Sequence, residues 1–150
     1  MQVDVGFGDA VTPAALEVDY PSLLDMPMPR LRAYPPETIV AEKLQAMVAL
    51  GMLNSRMKDF FDLWAISQTF PFDGPVLGDA LRATFTRRGT LLPAGTPIAL
   101  TQAFADDAAK QAQWRAFIPA RPSRSLLSRF PICCVAWLTS RCRRSWRSER

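Results

Sequence analysis

Between Tyr34 and Trp64 the apolar positions recur at spacings of three and four, and the rest of the chain reads as support for that stretch. Ile39, Val40, Leu44 and Met47 form one stripe of a first helix. Pro35-Pro36 sets its start, because a proline at the first helical position gives up only an N–H that has no intrahelical partner. Glu37 complements the dipole in the first turn, and Gly51 marks the stop. A second helix starts near Asn54 or Ser55, both good N-caps. It places Met57, Phe60, Phe61 and Trp64 on one face, and Ile66 on the same side as Asp59 and Asp62, partly buried. The short connection predicts antiparallel neighbours.

The flanking segments are weaker in pattern. Residues 2–7 alternate, with Val3, Val5 and Phe7 to one side and Asp4 on the wetter face of a half-buried strand. Thr12 to Arg32 is rich in proline, with a second short extended run at Leu16 to Val18 and with Leu23, Leu24, Met26 and Met28 as anchors under an irregular loop. A turn at Phe70 to Pro75 precedes a helix over Val76 to Arg88, with Leu77, Leu81, Thr84 and Phe85 inward and Gly89 ending it. After a connection over Thr90 to Pro97, one last helix is expected from about Leu100 to Phe117, with Phe104, Ala108, Ala112 and Trp114 inward. No internal repeat is present. The expected fold is mainly α with one or two short β-strands.

Charge changes this picture at a few positions. Lys43 falls inside the apolar stripe, where an amphipathic surface helix would not place it. One reading is a lysine that lays its stem on the core and keeps its ammonium at the rim. The other is a lysine held at the edge of a site and aimed at a phosphate or a carboxylate. Asp59 and Asp62, three apart, share a helix face and can approach Lys43. An ion-pair network that pins two helices explains the trio as well as a site does. Arg87-Arg88 suits the C-terminal end of a helix dipole, with phosphate or RNA contact as the alternative.

Tyr34-Pro35 through Ala41-Glu42-Lys43-Leu44, followed by Ser55-Arg56-x-Lys58-Asp59-x-x-Asp62-Leu63, resembles the AbiEii/AbiGii family of nucleotidyltransferase-like toxins. The leading Val3-Asp4-Val5-Gly6-Phe7-Gly8-Asp9 resembles the strand that precedes this pair in that family, so the likeness covers about residues 1–118. It implies the C-terminal part of a truncated α/β nucleotidyltransferase-like fold, of the polymerase-beta-like kind, from a toxin–antitoxin or phage abortive-infection system. It implies Mg²⁺ and a nucleoside triphosphate as cofactor and substrate, transfer RNA as an acceptor used by some members, and a cognate antitoxin as partner. By motif, Asp4 corresponds to a metal ligand, Lys43 to the family's lysine and Asp59 to its final aspartate. Arg56 and Lys58 fall at nucleotide-binding positions beside Asp62. The family's first motif, a Gly-Ser or Gly-Gly-Thr turn followed by Asp-x-Asp, lies upstream of that strand, and residues 1–150 do not contain it. Asp4 alone cannot fix two ions. The expectation is therefore a C-terminal fragment, inactive as it stands. A non-catalytic helical module that binds the antitoxin is the alternative from another class, and nucleic-acid binding through the tail is a third.

Composition divides the chain at residue 118. The net charge of +4 hides a tail, 119–150, with eight arginines and one acid, Glu149, and a body that is acidic by three charges. All three cysteines, Cys133, Cys134 and Cys142, lie in the tail, so no disulfide framework is implied for the body. The tail reads as a phosphate-neutralising arm, as a metal site with poor ligand spacing, or as out-of-frame translation of a GC-rich gene. The abrupt border after Phe117-Ile118 favours the last, which would leave the tail disordered. Met1 leads straight into a strand-like run rather than a signal peptide, and no apolar stretch reaches the ~20 residues of a membrane span. The body reads as cytoplasmic.

Overall fold

A computed structural model describes residues 8–22 and 25–118 of the chain. The expected strand over residues 2–7 with Asp4, the anchors Leu23 and Leu24, and the tail over 119–150 lie outside the described residues. What is described is mainly helical with one two-stranded sheet, as the sequence pattern leads one to expect.

The helix pair forms where the apolar stripe puts it. Helix α1 spans Pro36–Leu50 and begins on its proline, with Glu37 in the first turn. It ends at Gly51, whose φ of +51° lies in the left-handed region that favours glycine. Val40, Ala41, Leu44 and Met47 are buried, and Ile39 is half-buried. A single 3₁₀ turn, Gly51–Leu53, leads to α2, Met57–Thr69. Asn54 does not cap α2. Its side chain accepts from the Arg56 N–H at 2.8 Å, the local two-residue bond that asparagine makes in turns, and this fixes the entry to the helix one step upstream. The buried face of α2 is Met57, Phe60 and Leu63, with Phe61, Trp64 and Ile66 partly covered.

Helix α3, Gly74–Arg87, starts on an Asp73 N-cap that accepts from Val76 N–H, and its expected inward residues Leu77, Leu81, Thr84 and Phe85 are all buried. Its main neighbour is α1. The C-terminal segment departs from expectation. A 3₁₀ turn, Ile98–Leu100, and two helices, α4 (Gln102–Asp106) and α5 (Ala108–Phe117), stand where one helix was expected. The Thr101 hydroxyl caps the start of α4 by accepting from Phe104 N–H, and the break falls at Asp107, whose backbone is extended and whose carboxylate accepts from Lys110 N–H to start α5. Restarting the helix at Asp107 rotates its inner face. Lys110 and Trp114, four apart, point inward, and Ala108 and Ala112, expected inside, are exposed. Buried Lys110 donates to the Asn54 carbonyl at 2.8 Å and lies 5.3 Å over the Phe104 ring, so both its charge and its stem are used. Phe60 and Phe104 stack at 5.3 Å and join α4 to the core of the helix pair.

The sheet is a hairpin of β1, Leu16–Asp19, and β2, Arg30–Ala33, paired Leu16↔Ala33 and Val18↔Leu31. The extended run at Leu16 is thus a strand. Its partner, Arg30-Leu31-Arg32-Ala33, alternates over only four residues at the end of a proline-rich segment, too short a run to single out as a strand. Met26 and Met28 are 64% and 59% exposed rather than anchors. The hairpin is held by its own ladder, with Tyr20 N–H also donating to the Pro29 carbonyl, so Met26 and Met28 do not have to be buried to hold it.

Candidate active site

Lys43 reaches the site because its helix position forces it there: its neighbours Val40, Leu44 and Met47 are buried, and only its ammonium meets the start of α2. Lys43 Nζ donates to Asp59 Oδ1 at 2.7 Å and lies 2.8 Å from Asp62 Oδ2. The side chains of Lys43 and Asp59 are 18% and 6% exposed. Asp59 sits in the first turn of α2, where the helix dipole also favours its charge. Arg56 Nε stands 3.0 Å from Asp59 Oδ2, and Lys58 Nζ pairs with Asp62 Oδ2 one turn along α2. Arg56 and Lys58 are largely exposed and form the cationic rim.

The electrostatics favour the charged forms. Burial alone would lower the Lys43 pKa, but the hydrogen bonds to Asp59 and Asp62 outweigh it and hold the ammonium above its usual range. Burial alone would raise the Asp62 carboxyl, but the bonds from Lys43 and Lys58 outweigh it and keep its pKa below the usual value. An ammonium has three donors. Two are committed to Asp59 and Asp62, and among the described residues no partner takes the third.

A second network adjoins the first. Arg88, just past α3, donates to Glu42 Oε2 at 2.7 Å and to Asp9 Oδ1 at 3.1 Å, and Tyr34 OH donates to Asp9 Oδ2. Arg87 Nε donates to the Gly8 carbonyl at 2.6 Å. Gly8 has φ +78°, and a Cβ there would collide with the Arg87 guanidinium. The paired arginines therefore clamp the turn at Gly8-Asp9 onto α1 and α3. Thr38, fully buried, adds bonds to the backbone of Thr12 in both directions. Asp9 raises the Tyr34 pKa through the hydrogen bond between them.

Between these networks lies a cleft of about 260 Å³ lined by Tyr34, Glu42, Lys43, Arg56, Asp59 and Arg88, among others. A second and shallower cleft, about 520 Å³, opens on the other side of Arg56 and Asp59 beside Met57, Lys58, Gln113 and Phe117. Lys43, Arg56, Lys58, Asp59 and Asp62 are thus brought together as the motif spacing suggests, and Asp4 lies outside the described residues. The role of Glu42 was missed; its place beside Lys43 in Ala41-Glu42-Lys43-Leu44 was the available signal. Arg88 was read as a dipole partner, and it is instead the bridge from Glu42 to Asp9.

The described carboxylates do not fit a Mg²⁺ site. Asp59 and Asp62 are neutralised by Lys43, Arg56 and Lys58, and no group of three metal-ligating side chains gathers among the described residues. Also among the described residues, no helix is long and apolar enough to cross a membrane.

Residues 1–130 match a family model described as nucleotidyl transferase AbiEii toxin, type IV TA system. The match takes in the Lys43 and Asp59 segments and continues past residue 118. No curated protein and no solved structure matches the chain.

Proposed function

The chain belongs to the AbiEii nucleotidyl transferase toxin family, and on that premise we propose that it is the triphosphate-engaging part of an enzyme that transfers a nucleotide from a nucleoside triphosphate to an acceptor such as transfer RNA. The family itself implies a type IV toxin–antitoxin system with a cognate antitoxin, a nucleoside triphosphate and a metal ion. The observation that supports the reading is Lys43: a cleft holds a lysine with its charge secured by two carboxylates and a third donor that no other described residue takes. Such a group, fixed before the ligand arrives, offsets charge on a phosphate without having to reorganise. Asp59 holds it in place, and Arg56 and Lys58 at the rim add cationic charge that draws a polyanion toward the cleft.

The donor set among the described residues does not supply a metal site, and residues 1–150 contain no Gly-Ser or Gly-Gly-Thr turn followed by Asp-x-Asp. The chain on its own is therefore proposed to bind nucleotide without transferring it. Its place of action is the cytoplasm, and its family's role there is defence against phage. The test is calorimetric titration of the chain with nucleoside triphosphates. Binding that is lost in Lys43→Ala supports the reading. No binding by the folded chain would move it to the alternative, a non-catalytic module.

A further inference from the structure

We propose that Lys110 and Asn54 are positioning residues for the Lys43 site: a buried ammonium on α5 pins the turn that holds Arg56 against Asp59. The inference rests on the nucleotide reading above and deepens it, because Arg56 lines both clefts.

The Arg56 side chain is 60% exposed, and a long side chain in water keeps its rotamer freedom unless its backbone is fixed. Here the backbone is fixed. Arg56 is the central residue of an inverse γ-turn, with φ −81° and ψ 68°, closed by Met57 N–H donating to the Ser55 carbonyl at 2.9 Å. Its own N–H donates to Asn54 Oδ1 at 2.8 Å. From that turn Arg56 Nε stands 3.0 Å from Asp59 Oδ2. Asn54 is fully buried and is itself held on two further sides. Its N–H donates to the Gly51 carbonyl at 3.2 Å, and its carbonyl accepts from Lys110 Nζ at 2.8 Å.

A lysine is a costly way to satisfy one carbonyl. Lys110 is 6% exposed, and among the described residues no carboxylate pairs with it. Burying an ammonium without a counter-charge costs far more than burying a neutral donor. What the charge adds is a hydrogen bond about twice as strong as a neutral one, with the Phe104 ring 5.3 Å away to steady it. The helix break serves the same contact: Asp107 caps α5 through Lys110 N–H, and the restarted helix turns Lys110 inward. The stiffened turn carries Arg56, and Asp59 beside Arg56 accepts from Lys43. Cationic groups fixed before a phosphate arrives do not have to reorganise when it binds.

The experiment is calorimetric titration of the full 150-residue chain with inorganic tripolyphosphate and the four ribonucleoside triphosphates, in wild type, Arg56→Ala, Lys110→Met and the double variant. Arg56→Ala is expected to weaken binding about tenfold, the weight of one hydrogen bond to a charged group. Lys110→Met keeps most of the packing and removes the ammonium. It is expected to weaken binding about fivefold, and the double variant to bind within about twofold of Arg56→Ala alone, because residues that act through one another do not add. A lysine with a purely structural role would leave affinity unchanged or lower it by the same factor in both backgrounds. Either result would overturn this inference and leave the nucleotide reading standing, as would an Arg56→Ala chain that binds like wild type. Rescue gives a second readout. Asn54→Asp keeps the acceptor for Arg56 N–H and loses only an Nδ2 that has no partner among the described residues, so it should bind like wild type. Asn54→Ala should lose about fivefold; wild-type affinity there would overturn the inference. Failure of every ligand to bind the wild-type chain would overturn both readings. Amide exchange in the ligand-free wild type needs no variant: Arg56 N–H should be as protected as the interior of α2, and free exchange there overturns the inference even where a variant fails to fold.

Discussion

Lys43 Nζ lies 2.7 Å from Asp59 Oδ1, and the two residues, sixteen apart in sequence, join the middle of α1 to the first turn of α2. The contact is largely shielded from water, so both partners depend on each other. Deleting Lys43 removes the sheltered counter-charge that Asp59 and Asp62 share and leaves them only the largely exposed Arg56 and Lys58. Lys43→Ala should cost about 3–5 kcal/mol, the usual range for breaking a buried pair from one side. Lys58→Ala, which removes a largely exposed partner, should cost less than about 1 kcal/mol. Urea denaturation of both variants checks the contrast. Equal effects would show that the Lys43 pair is no more sheltered than a surface one.

The same cluster gives stability a pH dependence with a definite sign. The Asp62 pKa is depressed in the folded chain from its ordinary 3.8. Its contribution is present above that value and is lost as pH falls through the lower, folded one. The Lys43 pKa is raised from 10.5, so its contribution is present below that value and is lost as pH rises through the higher one. Thermal unfolding should therefore show a broad plateau around neutrality, with acid loss below about pH 4 that Asp62→Asn blunts. An unchanged acid limb in Asp62→Asn would remove this carboxylate from the account.

The break between α4 and α5 depends on one side chain. Asp107 accepts from Lys110 N–H and starts α5 afresh, which turns Lys110 and Trp114 into the core. Asp107→Ala should cost about 1 kcal/mol as a lost N-cap. Trp114→Ala, by contrast, should cost about 3–5 kcal/mol, because Trp114 is 2% exposed. Chemical denaturation measures both. A stabilising Asp107→Ala would mean that the segment prefers one continuous helix.

Which parts could be read in advance follows from which forces act locally. The α1 and α3 faces were legible because period and burial agree: Val40, Leu44, Met47, Leu77, Leu81 and Phe85 all lie inside. The Lys43–Asp59–Asp62 meeting was legible as well, because a polar residue on an apolar stripe needs a partner. The α4–α5 break was not, because Asp107 looks like a solvent-facing helical residue until its side chain caps the following turn. Met26 and Met28 misled by composition, since the hairpin satisfies its backbone without burying them. The Glu42–Arg88–Asp9 bridge joins residues 46 and 79 positions apart, and no local pattern records such a pairing.

The clamp at Gly8-Asp9 can be tested separately from nucleotide binding. Arg88→Ala removes the donor to both Asp9 and Glu42. Amide exchange should then quicken at residues 8–12 and around Glu42, with little change in α2. Uniform protection across the variant would show that Arg87 and Thr38 alone hold the turn.

The most direct measurement of the central claim supplies the motif that residues 1–150 do not contain. The chain is joined to an upstream segment carrying a Gly-Ser turn followed by Asp-x-Asp, and is incubated with Mg²⁺, α-labelled nucleoside triphosphates and transfer RNA. Label should appear on the RNA, and should fall by about a hundredfold or more in Lys43→Ala and in Asp59→Ala, as loss of a preorganised charge-stabilising group does. Transfer that proceeds at full rate in both variants would contradict the account.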